Sequence, residues 1–490
     1  MNSALLILTV FFVGALAIGL VAKRGVEMNL EEWSIAGRGF GVVISFVLIA
    51  GEIFSTYSFL GATGWAYAKG APVFYYMGCA SLAFVIGYWT LPRLRDIAQE
   101  YQLVSFSDYF ERVFNSRMLG AMAAVIGLGA MIPLLVIQMK GLGIIVHEAS
   151  YGGLSETAAI WAGLAIMVAY IVVSGIRGAA TVAVVKDVLI LIVALSLAAY
   201  LPLHYLGGYA HLFETIERTH PGHFNMPETG LNATWYNSTV LLVSLGYFLF
   251  PHAFTSVYAI KTRDAARKNA IMMPLYQMLI VCMYIVGFTA IVVVPGLTGS
   301  STDIALFAIA KKSFPAWVVG VIGGAGLLTA LVPGAMILLN ASTMFSKNLV
   351  RGYLLPHASD AVINRIARIT VPVYALICVT ALFSSGASMV PISLFASNLL
   401  DQLFPAFLLG LIPRVTKRVA PLALGIVVGV LMLGYVSLGC AGDFARAFPF
   451  LPTWLASVNV GLSALAVNVI VVSTTACLSR VGARPITVAR

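Results

Sequence analysis

Five places in this 490-residue chain set ionisable or strongly polar side chains among apolar neighbours. Glu52 follows Gly51 and precedes Phe54, Ser55, Thr56 and Ser58. Gln138 and Lys140 come soon after Ile132-Pro133, and Lys186 and Asp187 are adjacent. Tyr247 and His252 bracket Pro251, and Asp401 and Gln402 precede Leu403-Phe404-Pro405. Such residues suit the handling of ions and polar solutes. A buried lysine or carboxylate takes up and releases a proton as its surroundings change. No nucleophile–base pair and no metal-ligand spacing stands within the apolar runs, so neither enzyme chemistry nor a metal nor a cofactor is expected. His211, His220 and His223 are irregularly spaced in a polar stretch at about 207–238 and read as a solvated loop. Cys79, Cys282, Cys378, Cys440 and Cys477 lie in or beside apolar runs and read as membrane packing.

Each polar site has a bland alternative. Glu52 can pair structurally with a buried lysine. Lys140 lies within about two turns of a helix end and can extend its ammonium to the interface, and Lys186 can do the same at the other face. Asp187 can simply neutralise Lys186, His252 can be a satisfied core histidine, and Asp401 can cap a helix or face a water-filled vestibule. All five being structural at once is not expected, because an ionisable group inside a bilayer costs about 2–3 kcal/mol even on lenient scales.

The elements that must position these residues follow from composition. Apolar residues make up 60% of the chain and charged residues 10%, where a soluble protein carries roughly 25% charged. Mean hydropathy is +0.96. These values exclude a cytosolic enzyme, a nucleic-acid binder and a secreted domain. A spanning helix needs roughly 20 mostly apolar residues. Thirteen such runs occur, at about 3–22, 41–68, 73–91, 118–146, 158–174, 180–206, 239–260, 271–295, 315–344, 366–385, 390–412, 420–438 and 455–478. The first lacks a basic leader and a small-residue cleavage site, and it reads as a retained anchor. The net charge of +10 is topological. One set of alternate connections holds 22 of the 29 Lys and Arg residues, the other set five, and Lys140 and Lys186 fall inside spans. By the positive-inside rule the N-terminus is outside and the C-terminus cytoplasmic, in a multi-pass protein of the plasma or cell inner membrane.

Two of the runs carry break signals. The second is too long for one straight helix and contains Gly51, Gly61 and Gly64, and the seventh contains Gly246 and Pro251. They stand five spans apart, an odd number, so any likeness between the halves is inverted. Paired interruptions in corresponding halves point to a transporter site at mid-membrane, although glycine also serves close helix packing.

With these residues in view, the chain resembles the sodium:solute symporter family over nearly its full length. Phe59-Leu60-Gly61-Ala62-Thr63-Gly64-Trp65-Ala66-Tyr67 is similar to that family's first core helix, and Ser174-Gly175-Ile176-Arg177-Gly178 to the opening of its fifth. Gly246-Tyr247-Phe248 through Pro251-His252 is similar to its broken sixth core helix, and Gln402-Leu403-Phe404-Pro405 through Gly410-Leu411 and Arg414 to its tenth. The resemblance implies an all-α polytopic membrane protein of about 13 transmembrane helices with a LeuT-type five-plus-five inverted repeat. The chain then forms one transporter domain over 1–490: an extra N-terminal helix at 3–22, a first repeat at 41–206, a second at 239–412, and two C-terminal helices at 420–478. Gly51-Glu52-Ile53-Phe54-Ser55, Gln138 through Gly143, and Val184-Val185-Lys186-Asp187 resemble the family's bacterial monocarboxylate permease branch. That branch implies lactate, pyruvate and propionate as substrates, with alanine as a further candidate.

The departures from the family pattern bear on the coupling ion. Aligning Leu338-Leu339 and Ser342-Thr343 with that pattern puts Ala335 and Met336 where two sodium-binding hydroxyls belong, and neither offers the oxygen a hard cation requires. The family's Thr-Asp pair falls on Val182 and Ala183. Three residues beyond Ala183 stands Lys186, whose ammonium can supply the missing charge. The expectation is therefore a secondary importer of small monocarboxylates coupled to H+, in a lipid bilayer and with no nucleic-acid partner. Gly51, Ser55, Lys140, Tyr247, His252 and Gln402 are the substrate candidates, with Tyr247 as an inner gate. Lys186 is the leading proton site, with Glu52 and Asp187 beside it. The alternatives are a Na+-coupled symporter using Glu52 and Ser55, and the membrane sensor of a signalling protein. The short tail after Leu478 argues against the sensor.

Overall fold

The computed structural model describes the chain except residues 1–2, 23–24, 26, 384–388, 414–417, 441–443 and 482–490. Lys23, Arg24, Arg414, Lys417, Arg484 and Arg490 of the basic set therefore lie outside the described residues. Everything described is helix and connection, apart from one isolated bridge pairing Phe40 with Ile260.

The principal helices are α1 (Ser3–Val21), α2 (Val42–Ile53), α3 (Ala62–Lys69), α4 (Tyr75–Glu100), α5 (Arg117–Ala149), α6 (Glu156–Leu206), α7 (Ala233–Gly246), α8 (Pro251–Tyr258), α9 (Arg263–Gln277), α10 (Leu279–Val293), α11 (Ala316–Met344), α12 (Asp360–Phe383), α13 (Met389–Leu400), α14 (Phe404–Leu411), α15 (Val419–Gly434) and α16 (Val460–Val481). Ten helices among the described residues are long and apolar enough to span a membrane, or up to twelve when two bent pairs each count as one span. The 51-residue α6 supplies two of the thirteen apolar runs. It breaks at Gly175, whose φ of 57° and ψ of −148° are non-helical. Only glycine fits there, because a Cβ would lie 2.2 Å from the Trp33 carbonyl oxygen.

The helices pack around α11, whose residues are almost all buried and which touches α1, α5 and α6. This inverts the soluble arrangement. The outer helices turn apolar residues outward, among them Val43, Trp89, Val188 and Leu275, while the centre holds polar ones. With no water at that depth each buried polar group needs a partner inside the protein, and those partners hold the two bent pairs in place.

The bent pairs are the two predicted breaks, α2 with Tyr57–Lys69 (55°) and Ala233–Leu249 with α8 (50°). The second unwinds from Gly246 through Phe250, and Pro251 opens the new helix, as proline at a first helical position does. The first break differs from the expectation. It lies at Phe54–Thr56 and not at a glycine. Gly51 is helical and serves close packing, since a Cβ there would come within 2.9 Å of the Ala183 Cβ.

Candidate functional site at the two helix breaks

A cavity of about 100 Å³ opens where the breaks meet, smaller than the roughly 150 Å³ cavity that accommodates benzene. Glu52, Ser55 and Tyr57 line it from the first broken span, and Tyr247, Phe250, His252 and Ala253 from the second. Gln138 of α5, Tyr75 and Tyr76 of α4, and Ser393 and Ser397 of α13 complete its polar lining.

Lys186 lies beside this cavity and faces the first break. It is fully buried. Its Nζ donates to the carbonyl oxygens of Gly51 and Phe54, each at 2.8 Å, and stands 3.0 Å from Asp187 Oδ1. These three acceptors match the three N–H bonds of an ammonium. The break creates the site: Phe54 leaves the helical path and its carbonyl turns to the lysine. Tyr276 donates its hydroxyl to the same Asp187 oxygen at 3.0 Å. Asp187 Oδ2 has no hydrogen-bond partner among the described residues. The positions expected to have lost a sodium site, Ala335, Met336 and Ala183, are fully buried.

Glu52 joins the two breaks. Its Oε1 accepts from Ser256 Oγ of α8 at 2.6 Å, and its Oε2 has no partner among the described residues. Thr56 Oγ1 donates to Gln138 Oε1 at 2.9 Å. Gln277 donates to the Tyr247 hydroxyl at 3.0 Å, and the Tyr247 ring packs edge-on against Phe84 with centroids 5.7 Å apart. His252 lines the cavity, and its Nδ1 makes no hydrogen bond to a described residue. On the side of the 207–232 segment, Tyr57 and Tyr75 share a short hydroxyl contact. Trp65 and Trp235 pack on Tyr75 at 5.8 and 5.4 Å, so an aromatic cluster borders the cavity there.

These helices, their two breaks and the central site are the architecture of a solute carrier. A model of the sodium:solute symporter family matches residues 33–429. The chain belongs to that family. This symporter is 43% identical to an uncharacterized symporter of Bacillus subtilis, YhjB, over 98% of each chain. It is 28% identical to a monocarboxylate transport permease protein of Rhizobium johnstonii over 84% of each. Its fold matches that of a Na+-coupled sialic acid symporter with a TM-score of 0.79 at 14% identity, covering 97% of this chain and 98% of that one. The fold is therefore of the LeuT type, and the protein is a secondary transporter and not an enzyme.

Several sequence candidates of this symporter sit elsewhere than expected. Lys140 does not line the cavity. It reaches Asp303 at 2.9 Å, on a connection that the sequence presents only as a polar loop. Gln402 is also outside. Its Nε2 donates to the carbonyls of Asn398 and Gly461 at 3.1 and 3.3 Å, and Asn468 of α16 donates to its main-chain oxygen at 2.8 Å, so it fastens the C-terminal helices. Gly51 acts through its carbonyl on Lys186. Ser55, Tyr247, His252 and Glu52 do come together. Tyr57, Tyr75 and Ser256 were missed. Ser256 lies four residues beyond His252, one helical turn, and that spacing was the available signal.

Proposed function

We propose that this symporter imports small monocarboxylates together with protons, with the N-terminus outside and the C-terminus in the cytoplasm. The observation that carries the proton is the Lys186 ammonium resting on the carbonyls of Gly51 and Phe54. A cation bound there would meet those carbonyls and no oxygen from the side chains of Ala335 or Met336. The lysine is charged while the first break and α6 are together. When they separate it loses two of its three acceptors, and with that support for its charge gone the proton leaves. Asp187 and Glu52 are the neighbouring carboxyl groups through which it can pass.

Three features support the substrate class. The cavity is small. His252 and Ala253 both line it and are the first residues of α8 with a main-chain N–H, since Pro251 has none. A helix N-terminus favours a carboxylate. The name of the Rhizobium johnstonii relative agrees. Ser55, Tyr247 and His252 remain the proposed substrate residues, Gln138 joins them, and residues 41–206 and 239–412 form the two repeats.

The test is uptake of labelled lactate, pyruvate, propionate and alanine into proteoliposomes, with pH and Na+ gradients imposed separately. Concentrative uptake driven by the pH gradient alone is expected. Uptake that requires Na+ and ignores a proton ionophore would overturn the coupling. Transport of sugars but of no monocarboxylate would overturn the substrate.

A further inference from the structure

The face that carries most of the Lys and Arg residues holds a second cavity, about 240 Å³ in volume, away from the transport site. Arg112, Arg117, Lys347 and Arg351 border it, with Asp108 and Glu111 as its carboxylates. Asp108 is committed to Lys347 in an ion pair. Burial alone would raise its pKa, but Lys347 and the main-chain N–H groups of Ser105 and Val104 outweigh this and hold the carboxyl at about 2. Glu111 accepts from Asn348 at 3.3 Å. Arg351 pairs with Asp360 at the exposed rim. Arg112 and Arg117 are exposed and form no ion pair among the described residues. The cavity therefore presents two uncommitted guanidinium groups.

An apolar groove begins next to it. Met118, Met122 and Val125 of α5, Ile426, Val430 and Leu431 of α15, and Tyr353 line the groove. Arg117 and Met118 are consecutive, as are Arg351, Gly352 and Tyr353, so cavity and groove share their border. The Tyr353 hydroxyl donates to the Arg117 carbonyl at 3.0 Å and closes that border. From Met118 to Val125 the groove climbs about 10 Å along α5 at 1.5 Å per residue. A charged pocket at the membrane surface thus leads straight into an apolar channel running toward the bilayer centre.

We propose that this composite site binds one anionic phospholipid from the leaflet on the basic face. Its phosphate would sit between Arg112 and Arg117, and one acyl chain would lie in the groove between α5 and α15. Arginine suits the phosphate because its planar fork donates in pairs. Basic pockets at membrane-helix ends bind such headgroups, each cation contributing about 1 kcal/mol. The site touches neither helix break, so it stands apart from the transport reading.

The test titrates phosphatidylglycerol, phosphatidylcholine of matching chains, or inorganic phosphate into the full-length protein purified in detergent, and reads the thermal midpoint. Phosphatidylglycerol is expected to raise it more than phosphatidylcholine does. In the Arg112→Gln, Arg117→Gln double variant the apparent affinity should fall about thirtyfold, the equivalent of about 2 kcal/mol. Neither arginine makes an ion pair, so the variant should fold. Val125→Trp fills the groove at a position 60% exposed and should weaken phosphatidylglycerol binding on its own. Equal shifts from the two lipids would overturn the proposal. So would inorganic phosphate reproducing the shift, or phosphatidylglycerol binding unchanged in either variant.

Discussion

The two broken spans bend by similar angles, 55° and 50°, yet the polar groups they expose meet different fates. At the first break the freed carbonyls of Gly51 and Phe54 are capped by Lys186, and Thr56 is tied to Gln138. The cap is the protein's own lysine. At the second break the Asp401 carboxyl lies against Gly246, and neither its Oδ1 nor His252 Nδ1 has a hydrogen-bond partner among the described residues. Unmade hydrogen bonds at that depth are costly, and Glu52 Oε2 and Asp187 Oδ2 at the first break carry them too among the described residues. The difference therefore lies in the main chain: Lys186 caps the carbonyls of the first break, while His252 and Ala253 at the second open α8 at the cavity. One backbone device thus ends in two ways: the carbonyls of the first break are filled from within, and the second turns a helix N-terminus to the cavity, where the proposed substrate would bind.

The hardest blow to this contrast is Lys186→Gln. Removing one partner of a buried, paired charge costs about 3–5 kcal/mol, and here it also removes the proposed proton carrier. Concentrative uptake driven by a pH gradient should fall to background, while exchange of labelled for unlabelled substrate persists if the second break is the one that binds it. Near-normal uptake with unchanged proton dependence in this variant would make Lys186 a structural residue and erase the distinction between the breaks.

Gly246→Ala strikes the other side. Its Cβ would stand 1.4 Å from Asp401 Oδ1, so either the unwound segment or the carboxyl must move. Transport should drop by two orders of magnitude or more, about 3 kcal/mol, and Asp401→Ala in the same chain should recover part of it. Failure of that rescue would mean that the backbone conformation at Gly246, and not the room for Asp401, is what the glycine provides.

Lys140→Met probes a site outside both breaks. Because Lys140 pairs with Asp303, its loss should destabilise the protein by up to about 3 kcal/mol and leave the substrate concentration for half-maximal uptake within about twofold of the wild type. Asp303→Asn should restore the thermal midpoint. A large loss of substrate affinity without loss of protein would return Lys140 to the binding site.

The contrast also explains what was legible in the sequence. Spans and breaks follow from apolar length and from Gly and Pro, because a bilayer leaves few alternatives. That Lys186 faces the first broken span was legible from its place three residues beyond Ala183 in the family pattern; its role is what Lys186→Gln tests. Lys140 and Gln402 misled because a sequence gives depth along a helix but not the direction a side chain faces. Their partners Asp303 and Asn468 lie 163 and 66 residues away. The first break was assigned to glycine when it falls at Phe54–Thr56, where the Lys186 and Gln138 contacts hold a non-glycine backbone open. No local pattern announces such long-range contacts.

The smallest effect expected concerns Gln138, which stands between the two regimes. It lines the cavity, yet its Oε1 is taken by Thr56, so only its N–H groups remain for a solute. Thr56→Val keeps the shape and removes the hydroxyl donor. A neutral hydrogen bond contributes about 1 kcal/mol, so the thermal midpoint should fall by a few degrees at most. If Gln138 is a substrate ligand that Thr56 holds in orientation, the half-saturating monocarboxylate concentration should rise by up to about fivefold at unchanged maximal rate, because binding is weakened and the proton step at Lys186 is untouched. If Gln138 belongs to the filled first break alone, affinity should stay as it was and only stability should respond. The second outcome would shift the substrate wholly onto Tyr247, His252 and the N-terminus of α8, and would sharpen the division of labour between the breaks.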